Sequence, residues 1–171
     1  MNRRNIVSLC VITAFGFAAL AGSAVGQQKS LKDQLVGTWN IASWERTAPD
    51  GTKVHAFGTN PKGVNVFGAD GRFVVFYTRA NLPKLASNDR TKVTAEEARV
   101  IVEGTIAYNG TYSVDEASKT ITLTIENTTF PNQLGRPQKR IINALTADEL
   151  KYSNPGATAG GQIQITLKRA K

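Results

Sequence analysis

Tyr108 and Tyr112 stand four residues apart in a run where Ile106, Tyr108, Gly110, Tyr112 and Val114 alternate with Ala107, Asn109, Thr111 and Ser113. A period of two marks a strand with one buried face, so both phenols are expected to point into the same interior. A phenol there brings a large apolar body and one hydrogen bond. It orients a ligand without charging it and, beside a base, can pass a proton. Trp44, Phe76 and Phe130 add aromatic surface, while Asn132 and Arg140 add a hydrogen-bonding and a cationic group near predicted loops. Two arginines at a cavity mouth, Arg140 and Arg79, have the geometry to hold a carboxylate. Apart from Arg79, these residues form the candidate ligand-binding set. Trp44 lies an odd number of residues after Trp39 and faces the opposite side of a regular strand, unless a bulge shifts the register.

Other chemistries find little to work with. His55 is the single histidine, so a multi-histidine metal centre is excluded and a serine-histidine-acid arrangement would rest on this residue alone. Its place between Val54 and Ala56 in a short predicted strand reads as a surface or wall position. No Gly-x-Ser-x-Gly, phosphate-cradling loop or dinucleotide fingerprint appears. The sequence therefore assigns no catalytic residue, no metal and no cofactor.

The elements that must position these groups begin after a leader. Arg3 and Arg4 precede an uncharged apolar run over residues 6–21, and Ala24 and Gly26 are small residues where a signal peptidase reads. Residues 1–26 are thus expected to be a cleavable signal peptide, placing the protein in the periplasm or outside the cell with no membrane span after cleavage. Cys10, the only cysteine, leaves with the leader, so neither a disulfide nor a thiolate metal site is expected. The formal net charge of the full chain is +8, and the leader carries two of those charges away. The remaining basic residues are scattered except for Lys168, Arg169 and Lys171, which argues for a solvated surface and against nucleic acid.

What remains is one domain's worth of chain. Residues 27–34 read as a linker and 35–171 as a single all-β domain. Strands are expected at 36–46, 52–57, 63–67, 72–78 and 106–114, at the strictly alternating 120–126, and at 140–145, 149–153 and 162–168. Pro49-Asp50-Gly51, Gly68-Ala69-Asp70-Gly71, Asp115-Glu116-Ala117-Ser118 and Thr146-Ala147-Asp148 supply turns. Residues 79–93 read as a long loop. Thr94-Ala95-Glu96-Glu97 matches a capping box and starts the one short helix, with Gly104 as its stop. About eight or nine short antiparallel strands with hairpin connections form an up-and-down meander that closes into a barrel wide enough for one small ligand.

Leu35-Val36-Gly37-Thr38-Trp39, Ser43-Trp44-Glu45, Pro49-Asp50-Gly51, Asp70-Gly71-Arg72-Phe73, Ala107-Tyr108-Asn109-Gly110-Thr111-Tyr112 and Phe130-Pro131-Asn132 ahead of Arg136 and Arg140 together resemble the bacterial lipocalin-like domain family. The resemblance spans residues 35–169. It implies a lipocalin-like barrel with a cavity and transfers no agreed catalytic residues. It also implies a structural plug, in which Gly37 lets the chain turn into the first strand and Trp39 closes one end beneath a basic residue of the last strand. Arg169 suits that place better than Lys168, because guanidinium stacks on indole more readily than ammonium does.

Two functions are consistent with this reading. One is an exported, non-catalytic carrier or sensor of a small apolar or amphiphilic molecule. The other is a small barrel enzyme, an isomerase, cyclase or hydrolase, using Tyr108, Tyr112, Arg140 or His55 as acid or base. A carboxylate or histidine within hydrogen-bond reach of either tyrosine inside the cavity favours the enzyme. A barrel packed solid favours a structural role.

Overall fold

The computed structural model describes residues 29–156 and 160–171; the signal peptide read at 1–26 lies outside them. The described chain forms α1 (Leu31–Leu35), β1 (Gly37–Thr47), β2 (Lys53–Val54), β3 (Lys62–Phe67) and β4 (Arg72–Thr78). After the long loop come α2 (Ala95–Gly104), β5 (Thr105–Asp115), β6 (Thr120–Thr128), β7 (Gln138–Leu145), β8 (Glu149–Asn154) and β9 (Gln162–Arg169). Every strand pairing is antiparallel. The sheet runs β2-β1-β3-β4-β5-β6-β7-β8-β9, and β1 also pairs with β9. That pairing closes eight strands into a barrel and leaves β2 as a short extra strand on the end of β1.

Alternation decides which side chains fill the barrel. Phe73, Val75 and Tyr77 of β4 and Ile121, Leu123 and Ile125 of β6 are buried, each at 5% exposure or less, while Val74 and Phe76 face outward at 46% and 45%. Gly63 lets β3 and β4 approach closely. Its φ is +132°, and a Cβ there would stand 1.9 Å from the Phe76 carbonyl oxygen.

The two ends of the barrel differ. Leu35, Trp39, Leu150 and Leu167, all fully buried, pack the closed end. There α1 lies where a linker is expected from residues 27–34. Ser30 caps it by accepting from the Asp33 amide at 3.0 Å, and Glu116 of the β5–β6 turn accepts from the Leu31 and Lys32 amides. Those bonds satisfy donors that a helix start leaves open, so the segment folds onto the barrel end.

At the other end the expected strand over 52–57 shrinks to Lys53–Val54. Beyond it the chain turns inward and buries Phe57 edge-on against Trp44, with ring centroids 5.2 Å apart. The loop after β4 and helix α2 frame the same end. Thr94 and Glu97 form the expected capping box. Gly104 ends the helix without a left-handed cap, because Thr105 after it is already extended and opens β5, and Leu82 and Arg79 cover its surface. Val102 of α2 is 61% exposed. No helix among the described residues is long and apolar enough to cross a membrane.

Candidate functional site

Between the plugged end and the framed end, the barrel interior changes from packed to open. The transition is a buried polar layer. The Tyr77 hydroxyl donates to Asn65 Oδ1, and Asn65 Nδ2 donates to the Tyr152 hydroxyl at 3.1 Å, with the two phenol oxygens 3.2 Å apart. Burial raises the pKa of Tyr77 well above that of an ordinary phenol and pushes Tyr152 up to about 12, so both are neutral near pH 7.

Above this layer lies a cavity of about 460 Å³. Trp44, Phe57, Ile106, Ile163 and Ile165 give it aromatic and aliphatic walls, and Tyr77 and Tyr108 turn their rings toward it. Ile101, Val102 and Glu103 of α2, with Phe130, stand at its mouth. Glu103 is half exposed and is held by Arg99 of the same helix at 3.2 Å.

Arg140 is the one cation lining this cavity, and only 3% of it is exposed. Its Nη1 donates to the Lys139 carbonyl at 2.9 Å and its Nη2 to Gln138 Oε1 at 3.1 Å. Burial works against its charge, but the neighbouring phenols of Tyr108, Tyr152 and Tyr77 raise its pKa overall. Among the described residues no carboxylate pairs with it, and its buried Nε has no hydrogen-bond partner. A guanidinium stays charged at any physiological pH, so the cavity carries one buried positive charge.

A family model described as a lipocalin-like domain matches residues 36–168, nearly the whole described chain. The chain belongs to that family. No curated protein matches it. Among solved structures, a redesigned beta barrel aligns at 16% identity and a TM-score of 0.44, covering 84% of this chain and 100% of the other. A de novo designed fluorescence-activating beta barrel aligns at 10% identity and a TM-score of 0.42, covering 83% and 99%.

The lipocalin-like domain disperses the residues that sequence periodicity groups together. Tyr108 lines the cavity, but Tyr112 does not. Although they share a strand face, Tyr112 is nearer the closed end, donates to the Gly68 carbonyl at 2.9 Å and packs edge-on against Phe67. Four residues of extended chain span about 13 Å, so one strand face runs from the cavity toward the plug. Phe76 lies on the outer surface, because its neighbours Val75 and Tyr77 are the inward positions of β4. Asn132 is exposed and lines a separate surface cleft with Arg136 and Lys139, while Phe130 borders both.

Two further expectations are corrected by packing. Arg140 is not a mouth residue but a buried one, and Arg79 is absent from the cavity lining because its Nε donates to the Ala56 carbonyl at 2.7 Å. Trp44 does reach the interior, through the register shift between Ile41 and Ser43 that realigns β1 against β9. The alternation seen from Trp39 alone places it outside, and the bulge reverses that. His55 sits outside the cavity, 3.9 Å from Glu45.

At the closed end the lipocalin-like domain places the Arg169 guanidinium 4.0 Å from the centre of the Trp39 ring. Arg169 also donates to the carbonyls of Val36, Gln34 and Ala147, and Trp39 Nε1 donates to the Leu35 carbonyl at 2.8 Å. Gly37, at φ +133°, turns the chain between them, and a Cβ there would meet Arg169 Nη1 at 2.8 Å. Sequence reasoning missed Asn65, Tyr152 and the inward role of Tyr77. The signal available was their position on alternating strands, since a polar residue on a buried face needs a partner.

Proposed function

We propose that this lipocalin-like protein is an exported, non-catalytic binder of one small apolar or amphiphilic molecule, held in the cavity at the framed end of the barrel. The observation that carries the reading is a space of about 460 Å³ walled by Trp44, Phe57 and the aliphatic residues of β5 and β9. Pockets that enclose a small ligand are of this order and have this balance of apolar wall to isolated polar groups. Among the described residues no carboxylate or histidine hydrogen-bonds to Tyr108, and the lining carboxylate Glu103 is engaged by Arg99. That arrangement favours holding a molecule over acid–base chemistry on it. The leader over residues 1–26 supports export, and amino-terminal sequencing of the secreted form should begin at Gln27.

Native mass spectrometry of the protein purified from its own host tests the reading, together with titration of fatty acids, terpenoids and aromatic dyes. A co-purifying small molecule and micromolar binders that weaken in Tyr108→Ala are expected. Tyr112→Ala should leave affinity unchanged wherever the variant is folded, because that ring lies outside the cavity lining. Absence of any bound molecule and of any binder in the panel would defeat the proposal.

A further inference from the structure

Burying a guanidinium without a counter-charge is unfavourable, and the penalty is relieved when an anion arrives with matched hydrogen-bond acceptors. Arg140 is in that condition. It is 3% exposed, lines the cavity, and has an Nε donor with no partner, the one buried side-chain polar atom so placed among the described residues. The Lys139 carbonyl and Gln138 each accept from one of its amino groups and the Tyr108 phenol oxygen also bonds to it, which holds the group in place and leaves Nε as the donor without a partner. The surrounding phenols do not neutralise it. The Tyr77 hydroxyl keeps its proton and donates a hydrogen bond to Asn65, and Tyr152 is tied into the same network, so both stay uncharged. Tyr108 lines the cavity beside the guanidinium.

Resting on the binding role proposed above, we infer that the ligand is a monocarboxylate with an apolar body, its head group bound at depth by Arg140 Nε and an adjacent Nη. A carboxylate offers two coplanar oxygens, which match the two parallel N–H bonds along a guanidinium edge. One negative charge cancels the one buried positive charge, whereas a phosphate monoester dianion leaves an unpaired negative charge in the same apolar space. The apolar body then lies along Trp44, Phe57 and Ile165 toward the mouth at Phe130. Basic residues also occur outside, at Arg136 and Lys139 in the exposed cleft. Their charges are solvated, so an anion gains little there.

Calorimetric titration of the delipidated protein with decanoic acid and decan-1-ol tests the head group while keeping the tail constant. The acid should bind the natural protein roughly ten- to a hundredfold more tightly than the alcohol, the span expected for hydrogen bonds to a buried charge. Arg140→Met should abolish the difference and still bind the alcohol, Arg140→Lys should keep part of it, and Arg136→Ala should leave it intact. Equal affinities in the natural protein, a preference that survives Arg140→Met, or one lost in Arg136→Ala would overturn the inference while leaving the cavity as a binding site. Failure of both probes to bind would instead count against the cavity reading itself. If Arg140→Met does not fold, ¹³C NMR titration of carboxyl-labelled decanoic acid on the natural protein decides. A bound carboxyl that titrates below its value in water supports the pairing, and one that titrates at or above it overturns it.

Discussion

The two tryptophans illustrate how little residue type says without position. Trp39 is fully buried, bonded to Leu35 and covered by Arg169, whereas Trp44 is partly exposed and borders empty space. Trp39→Ala should therefore destabilise the protein by about 3–5 kcal/mol, the range for deleting a core aromatic, and Trp44→Ala by less. Denaturant melts of the two variants check this, and equal losses would mean that the plug is misassigned. The buried tyrosines give a pH-dependent counterpart. Because the Tyr152 pKa is raised above its unfolded value, its contribution is fully present below pH 10 and is lost as pH rises toward about 12. Tyr152→Phe should flatten that alkaline loss, which is on the order of 3 kcal/mol. It should also destabilise the neutral-pH protein by about 1–3 kcal/mol, by depriving the Asn65 amide of its acceptor. Melts from pH 8 to 12, with tyrosine absorbance followed in parallel, measure both effects.

Among the elements, α2 joins local signals to the site, since its capping box fixes where Ile101, Val102 and Glu103 stand at the mouth. Glu97 accepts from the Thr94 amide and also from the Ala86 amide, at 2.8 Å, so the cap ties the long loop to the helix. These bonds, that to Ala86 first, hold the Glu97 pKa below the ordinary carboxylate value. A lowered folded-state pKa means that the stabilisation is present above the unfolded value and lost as pH falls through the folded one. Helix content read by circular dichroism should accordingly hold through mildly acidic solution and drop as pH falls below the ordinary carboxylate value, and Glu97→Gln should remove that acid dependence. Thr94→Ala should weaken the helix by about 1 kcal/mol. In that variant hydrogen exchange should speed up in α2 and the preceding loop while the barrel strands keep their protection.

The closed sheet makes the molecule a single cooperative unit, since β1 needs both β3 and β9 to complete its hydrogen bonds. A ligand that enters the cavity should therefore raise the stability of the whole barrel. At free ligand about a hundredfold above Kd the gain is about 2.7 kcal/mol. In a domain of this size that corresponds to roughly 5–10 °C in Tm. A thermal scan with and without a binder should show one transition shifting as a whole. An unmoved transition at saturating ligand would mean that the ligand has no preference for the folded barrel over the unfolded chain.

Much of this architecture was legible in the residues. Period-two runs such as Ile121, Leu123 and Ile125, the turn residues between them and the capping box at Thr94 depend on neighbours a few positions away, and local sterics and hydrogen bonding determine them. The strand count and the antiparallel meander follow from those runs, and the motifs from Gly37-Thr38-Trp39 onward carried the family. The site was less legible. Alternation tells inside from outside, but it does not give depth along the barrel axis, so Tyr108 and Tyr112 look equivalent although one meets the cavity and the other the plug. It also fails at a bulge, which brings Trp44 inward. The isolation of Arg140 was out of reach for the same reason: a missing partner is a property of everything packed around a group, and only the closed barrel brings β3, β4, β5, β7 and β8 together there.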